Sequence, residues 1–283
     1  MTVQQAFLQL ASQLTGYYDE REAKEISHMI IEAITGYSKA ERLLHKEEVL
    51  TAQQEEKFSI CSKELLEQKP VQYVLGKTWF AGMEFKVNEA VLIPRPETEE
   101  LTEWIISEHK ENEQVLSIID IGTGSGCIAV SLKRMLPQNN ISAIDVSETA
   151  LQIAKKNAHR NNATVDFHLT NFLEENDRKK LGKFNIIVSN PPYIKYREKN
   201  DMRQHVVNYE PHQALFVTDD DPLIFYRNIA LFSKEHLLAN GEIYLELNEM
   251  LGKETEALFQ SFSFNTVLKK DMQGKDRMLK AFK

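Results

Sequence analysis

A chain of 283 residues, 42% of them hydrophobic, is long enough for one large or two modest domains around a packed core. Its formal net charge of -8 and the absence of a Lys/Arg stripe make nucleic acid an unlikely partner, because phosphates call for a basic face. Residues 1–14 lack a basic start or continuous apolar run, no apolar run reaches membrane-spanning length, and Cys61 and Cys127 stand apart with no Cys-x-x-Cys or Cys/His cluster; this argues against a signal peptide, a membrane partner, a disulfide framework and a zinc site, and predicts a cytoplasmic protein.

Residues 1–68 predict a helical bundle. Val3, Phe7, Leu10 and Leu14 recur at helical spacing, as do Ala23, Ile26, Ile30 and Ile34, so each set makes one apolar stripe. Asp19 with Glu22, and Ser38 with Glu41, have the spacing of helix caps, and Gly16 and Gly36 mark breaks. A longer helix is expected over 47–68, burying Leu50, Phe58, Cys61 and Leu65 and ended by Pro70. Residues 69–96 then read as a β-hairpin linker, with Trp79, Phe80, Met83, Phe85, Val87 and Val91 flanking an Ala81-Gly82 turn. Two prolines stiffen Ile93-Pro94-Arg95-Pro96-Glu97-Thr98 until an amphipathic helix carrying Leu101, Trp104 and Ile105 begins at Thr98.

From residue 97 to 283 strands and helices alternate. Strands are expected at 115–120, 141–145, 165–169 and 184–189, with helices opening at Cys127 and Glu148. This alternation predicts an α/β fold, a parallel sheet covered by helices on both faces. A further helix is expected from Asp221-Pro222 to about residue 239, then an Asn240-Gly241 turn, a strand at 242–247, a helix at 249–259, and strands at 265–271 and 277–282 joined by a turn at Gly274. The acids Asp219 to Asp221 read as surplus charge at a helix start, and the eight histidines (His28, His45, His109, His159, His168, His205, His212, His236) show no metal-ligand spacing.

Two motifs carry chemistry. Asp120-Ile121-Gly122-Thr123-Gly124-Ser125-Gly126 stands between a strand and a helix, the context of a glycine-rich nucleotide loop, where a Cβ would obstruct the ligand. Asp145, at the end of the next strand, is placed to bond ribose hydroxyls. The third glycine arrives one residue earlier than in Gly-x-Gly-x-x-Gly, and Asp120 precedes the first. An acid there suits a sulfonium with its ammonium better than a pyrophosphate, which places S-adenosylmethionine ahead of NAD.

The second motif, Asn190-Pro191-Pro192-Tyr193, ends the apolar run 184–188. The prolines have no N–H to extend a ladder, so the Asn190 and Pro191 carbonyls stay available, beside the Asn190 side-chain acceptor and the Tyr193 face. The motif suits a planar group bearing NH2, an amide or a nucleobase; read alone it could equally be a turn.

With the glycine loop, this tetrapeptide resembles the methyltransferases that alkylate planar NH2 groups. Pro70-Val71-Gln72-Tyr73-Val74-Leu75-Gly76, Ile93-Pro94-Arg95-Pro96-Glu97-Thr98-Glu99, Tyr209-Glu210-Pro211-His212-Gln213-Ala214-Leu215 and the run 270–277 narrow the match to the release factor glutamine methyltransferase (PrmC/HemK) family, from about residue 70 to the C-terminus. The resemblance implies a Rossmann-like class I methyltransferase sheet with an N-terminal helical bundle joined by a β-hairpin. It also implies methyl transfer from S-adenosyl-L-methionine, leaving S-adenosyl-L-homocysteine, to the side-chain amide nitrogen of the glutamine in the Gly-Gly-Gln loop of bacterial class I peptide chain release factors, a step in translation termination. By position Asp120, Gly122, Thr123, Gly124, Ser125, Gly126, Asp145, Asn171, Phe172 and Asn190 would bind the cofactor, Phe172 as a stacking face; many relatives have Asp-Trp where this chain has Asn171-Phe172. Asn190, Pro191, Pro192 and Tyr193 would grip the substrate, Asn190 and Pro191 as the catalytic pair, while Arg95 and Glu97 would close over the cofactor or the target loop. The bundle 1–68 would contact the protein substrate. A ribosomal-protein glutamine methyltransferase shares these motifs; a DNA or RNA amino-methyltransferase is disfavoured by the acidity, and a nucleotide store has no use for Asn190 to Tyr193.

Overall fold

The computed structural model describes residues 1–283, which divide into two units: Met1–Gly76 with Arg203–Tyr209, and Lys77–Met202 with Glu210–Lys283. In the first, helices Val3–Leu14, Glu20–Thr35 and Ala52–Leu66 bury Phe7, Leu10, Ile26, Ile30, Phe58 and Leu65 in one core. Asp19 and Ser38 cap their helices as expected, Ser38 reciprocally with Glu41. The single helix expected over 47–68 is shorter, because Thr51 and Gln54 form a reciprocal capping box that starts it at Ala52. Before it, Val49 bridges to Thr2, and Leu50 is buried from extended chain. A further short helix, Val71–Leu75, stands where the linker was expected to begin. Helix Gln204–Tyr209 belongs to this unit, where the Tyr209 hydroxyl donates to the Glu67 carbonyl at 2.8 Å.

The second unit contains strands β1 (Lys77–Phe80), β2 (Met83–Lys86), β3 (Ser117–Ile121), β4 (Asn140–Asp145), β5 (Asp166–Leu169), β6 (Phe184–Ser189), β7 (Ile194–Lys195), β8 (Phe216–Val217), β9 (Leu237–Glu246), β10 (Asn265–Lys270) and β11 (Asp276–Phe282). β1 and β2 form the expected hairpin, with Ala81 and Gly82 at φ 47° and 72° in its two-residue turn. Val87 and Val91 are buried outside any strand, and the next helix, Pro96–His109, starts at Pro96 rather than Thr98, with proline in the first helical position.

Seven strands form one sheet in the order β10-β11-β9-β6-β3-β4-β5. β9, β6, β3, β4 and β5 run parallel, whereas β11 is antiparallel to both neighbours, because the turn after β10 is too short for a crossover. Alternate residues of the central strands feed two cores: Ile118, Ile186 and Tyr244 on one face; Ile119, Ile187 and Ile243 on the other. Helices Pro96–His109 and Cys127–Met135 cover the first, Ile224–His236 and Gly252–Ser261 the second.

Three expectations shift. The strand expected at 242–247 starts at Leu237, and the Asn240-Gly241 turn is a bulge within it, where pairing to β6 jumps from Phe184–Leu237 to Ile186–Glu242. The helix expected from Asp221-Pro222 begins at Ile224, because the Asp221 carboxylate pairs with Arg227 at 2.6 Å instead of capping. The helix expected at 249–259 opens as a 3-10 turn, Glu249–Leu251, before Gly252.

Candidate active site

Strand order reverses between β3 and β6, and a crevice at the carboxyl ends of the strands is where such sheets bind ligands. The Ser189 hydroxyl donates to the Ile121 carbonyl at 2.7 Å and locks the two strand ends together. A cavity of about 600 Å³ opens there, and Gly122, Gly124, Asp145, Asn171, Phe172, Asn190, Pro191 and Pro192 all line it.

The glycine loop forms part of the cavity wall. Gly122 and Thr123 both donate to the Ile144 carbonyl at 2.9 Å, so the loop turns back over β4. Gly122 and Gly124 have φ of 76° and 54°, and a Cβ on either would meet no atom within 4 Å, so their lack of side chains keeps the cradle clear. Gly126 serves packing instead, since a Cβ there would lie 3.0 Å from that of Ala154. Asp120, Thr123, Ser125 and Gly126 are not among the residues that line the cavity. Asp120 is fully buried beneath the loop and accepts from the Thr123 hydroxyl at 2.6 Å; burial pushes its carboxyl up to about 7.

Asp145 accepts from the Gly124 amide at 2.8 Å and the Ser147 amide at 2.9 Å. A carboxylate offers about four lone-pair sites, so acceptor capacity remains for a hydroxyl of a ligand. Burial raises its pKa while these amide donors oppose the rise. Phe172 is buried edge-on to Phe232, ring centroids 5.4 Å apart, and Asn171 accepts from the Leu173 amide through its side chain. An acid at the end of β4, clear glycines and an aromatic beyond β5 fit an adenosine-bearing ligand.

On the neighbouring strand end Asn190 Nδ2 donates to Thr98 Oγ1 at 3.0 Å, which leaves Asn190 Oδ1 and the Pro191 carbonyl as acceptors unclaimed within the chain. Tyr193 is placed differently from its neighbours in the tetrapeptide. It does not line the cavity: its hydroxyl donates to Glu246 Oε1 at 3.0 Å and its ring packs on the second core, while Tyr196 stands at the cavity beside the two prolines. Arg95 and Glu97 do not line it either; Arg95 binds Glu210 at 2.5 Å, and Glu210 also accepts from the Ile93 amide at 3.3 Å. This pairing ties the chain before helix Pro96–His109 to the segment after Tyr209. Both flank the cavity, through Ala90, Val91 and Leu92 and through Pro211, Gln213 and Ala214, the last three within a motif for which the sequence offered no role. Glu246 was missed altogether, although an acid inside the apolar run Ile243 to Leu247 signals a buried partner.

His109, Glu108 and Glu242 also converge, but the Lys280 ammonium bridges the two acids at 2.5 and 2.7 Å and supplies the positive charge there.

Residues 5–76 match the family described as PrmC N-terminal domain, and residues 99–215 match the Methyltransferase small domain. The chain is 46% identical over 275 residues to the release factor glutamine methyltransferase of Flavobacterium psychrophilum, covering 96% of each. It is 39% identical over 269 residues to that of Bacteroides thetaiotaomicron, covering 95% of each. Among solved structures, a methyltransferase from Pyrococcus furiosus shares the fold with a TM-score of 0.51 and 18% identity, over 71% of this chain and 89% of that one.

Proposed function

The chain belongs to the release factor glutamine methyltransferase family, and on that premise we propose that it transfers a methyl group from S-adenosylmethionine to the side-chain amide nitrogen of the glutamine in the Gly-Gly-Gln motif of bacterial class I peptide chain release factors. The observation that carries this reading is a single cavity lined both by the glycine cradle and Asp145 and by Asn190 and Pro191, which follow adjacent, paired strand ends.

Gly122, Gly124, Asp145, Asn171 and Phe172 would hold the cofactor, whose sulfonium supplies an electrophilic methyl group when bound. The substrate nitrogen is a poor nucleophile, because its lone pair is delocalised into the carbonyl. It therefore needs aim more than a base. Asn190 Oδ1 and the Pro191 carbonyl accept its two hydrogens and turn the nitrogen toward the methyl; alignment of this kind is worth up to roughly 7–11 kcal/mol. No residue in the tetrapeptide acts as general base, and the nitrogen loses its proton to solvent after transfer. Pro192 and Tyr196 wall the carboxamide in, a role expected of Tyr193 from sequence.

Incubation with labelled cofactor and, separately, a release factor, a ribosomal protein and DNA tests this. Label should appear on the release factor and vanish when its Gly-Gly-Gln glutamine is replaced by alanine. Label confined to the ribosomal protein or DNA overturns the reading.

A further inference from the structure

We propose that Thr98 and Glu246 form a polarity relay that fixes which end of the Asn190 carboxamide meets the substrate, and thereby makes the site selective for a carboxamide over a carboxylate. The inference rests on the functional reading of Asn190 and names what sets its specificity.

Thr98 sits in the first turn of helix Pro96–His109 and Glu246 ends β9; they are 3% and 1% exposed. The Thr98 hydroxyl donates to Glu246 Oε2 at 2.5 Å, and Tyr193 donates to Oε1 at 3.0 Å. A hydroxyl has one proton. With that proton committed to Glu246, Thr98 Oγ1 can only accept from its other neighbour. That neighbour is Asn190, whose Nδ2 lies 3.0 Å away. The amide is thus turned so that oxygen is left for the ligand.

The two ends of a carboxamide are nearly the same size, so shape alone does not choose between them. Hydrogen-bond polarity does. An oxygen presented to the ligand pairs with an NH2 and repels a carboxylate; an NH2 presented there would do the reverse. Glutamine and glutamate differ at this one group. Burial disfavours charge on Glu246, and Glu97 on the same helix as Thr98 adds to that. The two hydroxyl donors and the Arg277 guanidinium from β11 oppose this, but burial prevails and the Glu246 pKa stands above its ordinary value, while Tyr226, from helix Ile224–His236, spends its hydroxyl on the Glu246 backbone carbonyl.

Thr98→Val keeps the buried shape and removes the hydroxyl, whereas Thr98→Ser keeps the hydroxyl. In the full-length protein three quantities are measured: cofactor Kd, kcat on the release factor, and inhibition by a release factor carrying glutamate in place of the target glutamine. For Thr98→Val the cofactor Kd should hold, kcat should fall about tenfold, and the glutamate-bearing factor should inhibit about tenfold more tightly, the scale of one hydrogen bond. Thr98→Ser should match the native protein in all three. A fully active Thr98→Val, a Thr98→Ser as impaired as Thr98→Val, or inhibition by the glutamate form that does not tighten overturns the relay. Should Thr98→Val not fold, Glu246→Gln frees the hydroxyl from its obligation and carries the same expectation, and unchanged discrimination there overturns the relay as well. Native protein that leaves the release factor unlabelled overturns the functional reading itself, a result separable from any of these.

Discussion

In the role proposed for Asn190 the residue supplies orientation, because the nitrogen to be alkylated is already neutral and a carboxamide side chain is no base to take its proton. Asn190→Ala should therefore lower kcat about a hundredfold or more, the cost typical of misplacing a reacting group by an ångström. Its cofactor Kd should change little, since Gly122, Gly124 and Asp145 line the cavity independently of it. Single-turnover transfer and calorimetry separate the two, and a matching loss of cofactor affinity would refute the assignment. Asp120 works differently, from beneath the loop. Its folded-state pKa of about 7 lies above the ordinary carboxylate range, so the folded protein binds its proton more tightly than the unfolded chain. Its contribution to stability is full below about pH 4 and is lost as pH rises through about 7. Asp120→Asn, which stays neutral, should melt increasingly above the native protein as pH is raised across that window; a constant difference in melting temperature would show that Asp120 does not titrate there.

Helix starts were legible in the sequence wherever a side chain bonds its own neighbouring backbone, as at Asp19 and Ser38. The glycine cradle and Asp145 were legible for a similar reason, being fixed by their places at strand ends. What was not legible depends on partners far along the chain: Thr98 meets Glu246 across 148 positions, and Tyr193 is drawn from the cavity by that same acid. The bulge in β9 is another such case. Asn240-Gly241 has the composition of a turn, yet the chain continues as strand because Leu237 and Asn185 close around Gly241. A Cβ at Gly241 would lie 2.7 Å from Leu237 Cδ1 and 2.9 Å from the Asn185 carbonyl. The side chain can turn away, but the carbonyl belongs to β6. Gly241→Ala should cost about 1–3 kcal/mol, read as a lower melting temperature of the methyltransferase unit. An unchanged melting temperature would mean that β6 and β9 slide apart easily at the bulge.

The division of the whole molecule into two units with separate cores allows catalysis and recognition to be separated. Phe7, Leu10, Ile30 and Leu65 pack in a core distinct from the two that flank the sheet, and every residue lining the cavity belongs to the second unit. Cofactor binding therefore makes no demand on the first. We propose that the helical unit supplies a second surface by which whole release factors are recognised beyond their Gly-Gly-Gln loop. Residues 77–283 alone should bind cofactor with the affinity of the full chain, methylate a short Gly-Gly-Gln peptide with the same kcat/KM, and show a raised KM for the intact release factor. Peptide and protein substrates have to be compared on one preparation, because a fragment damaged by exposing Val207 and Tyr209 would lose both activities together. An unchanged KM for the intact factor would assign recognition to the methyltransferase unit, leaving the helices to serve stability alone.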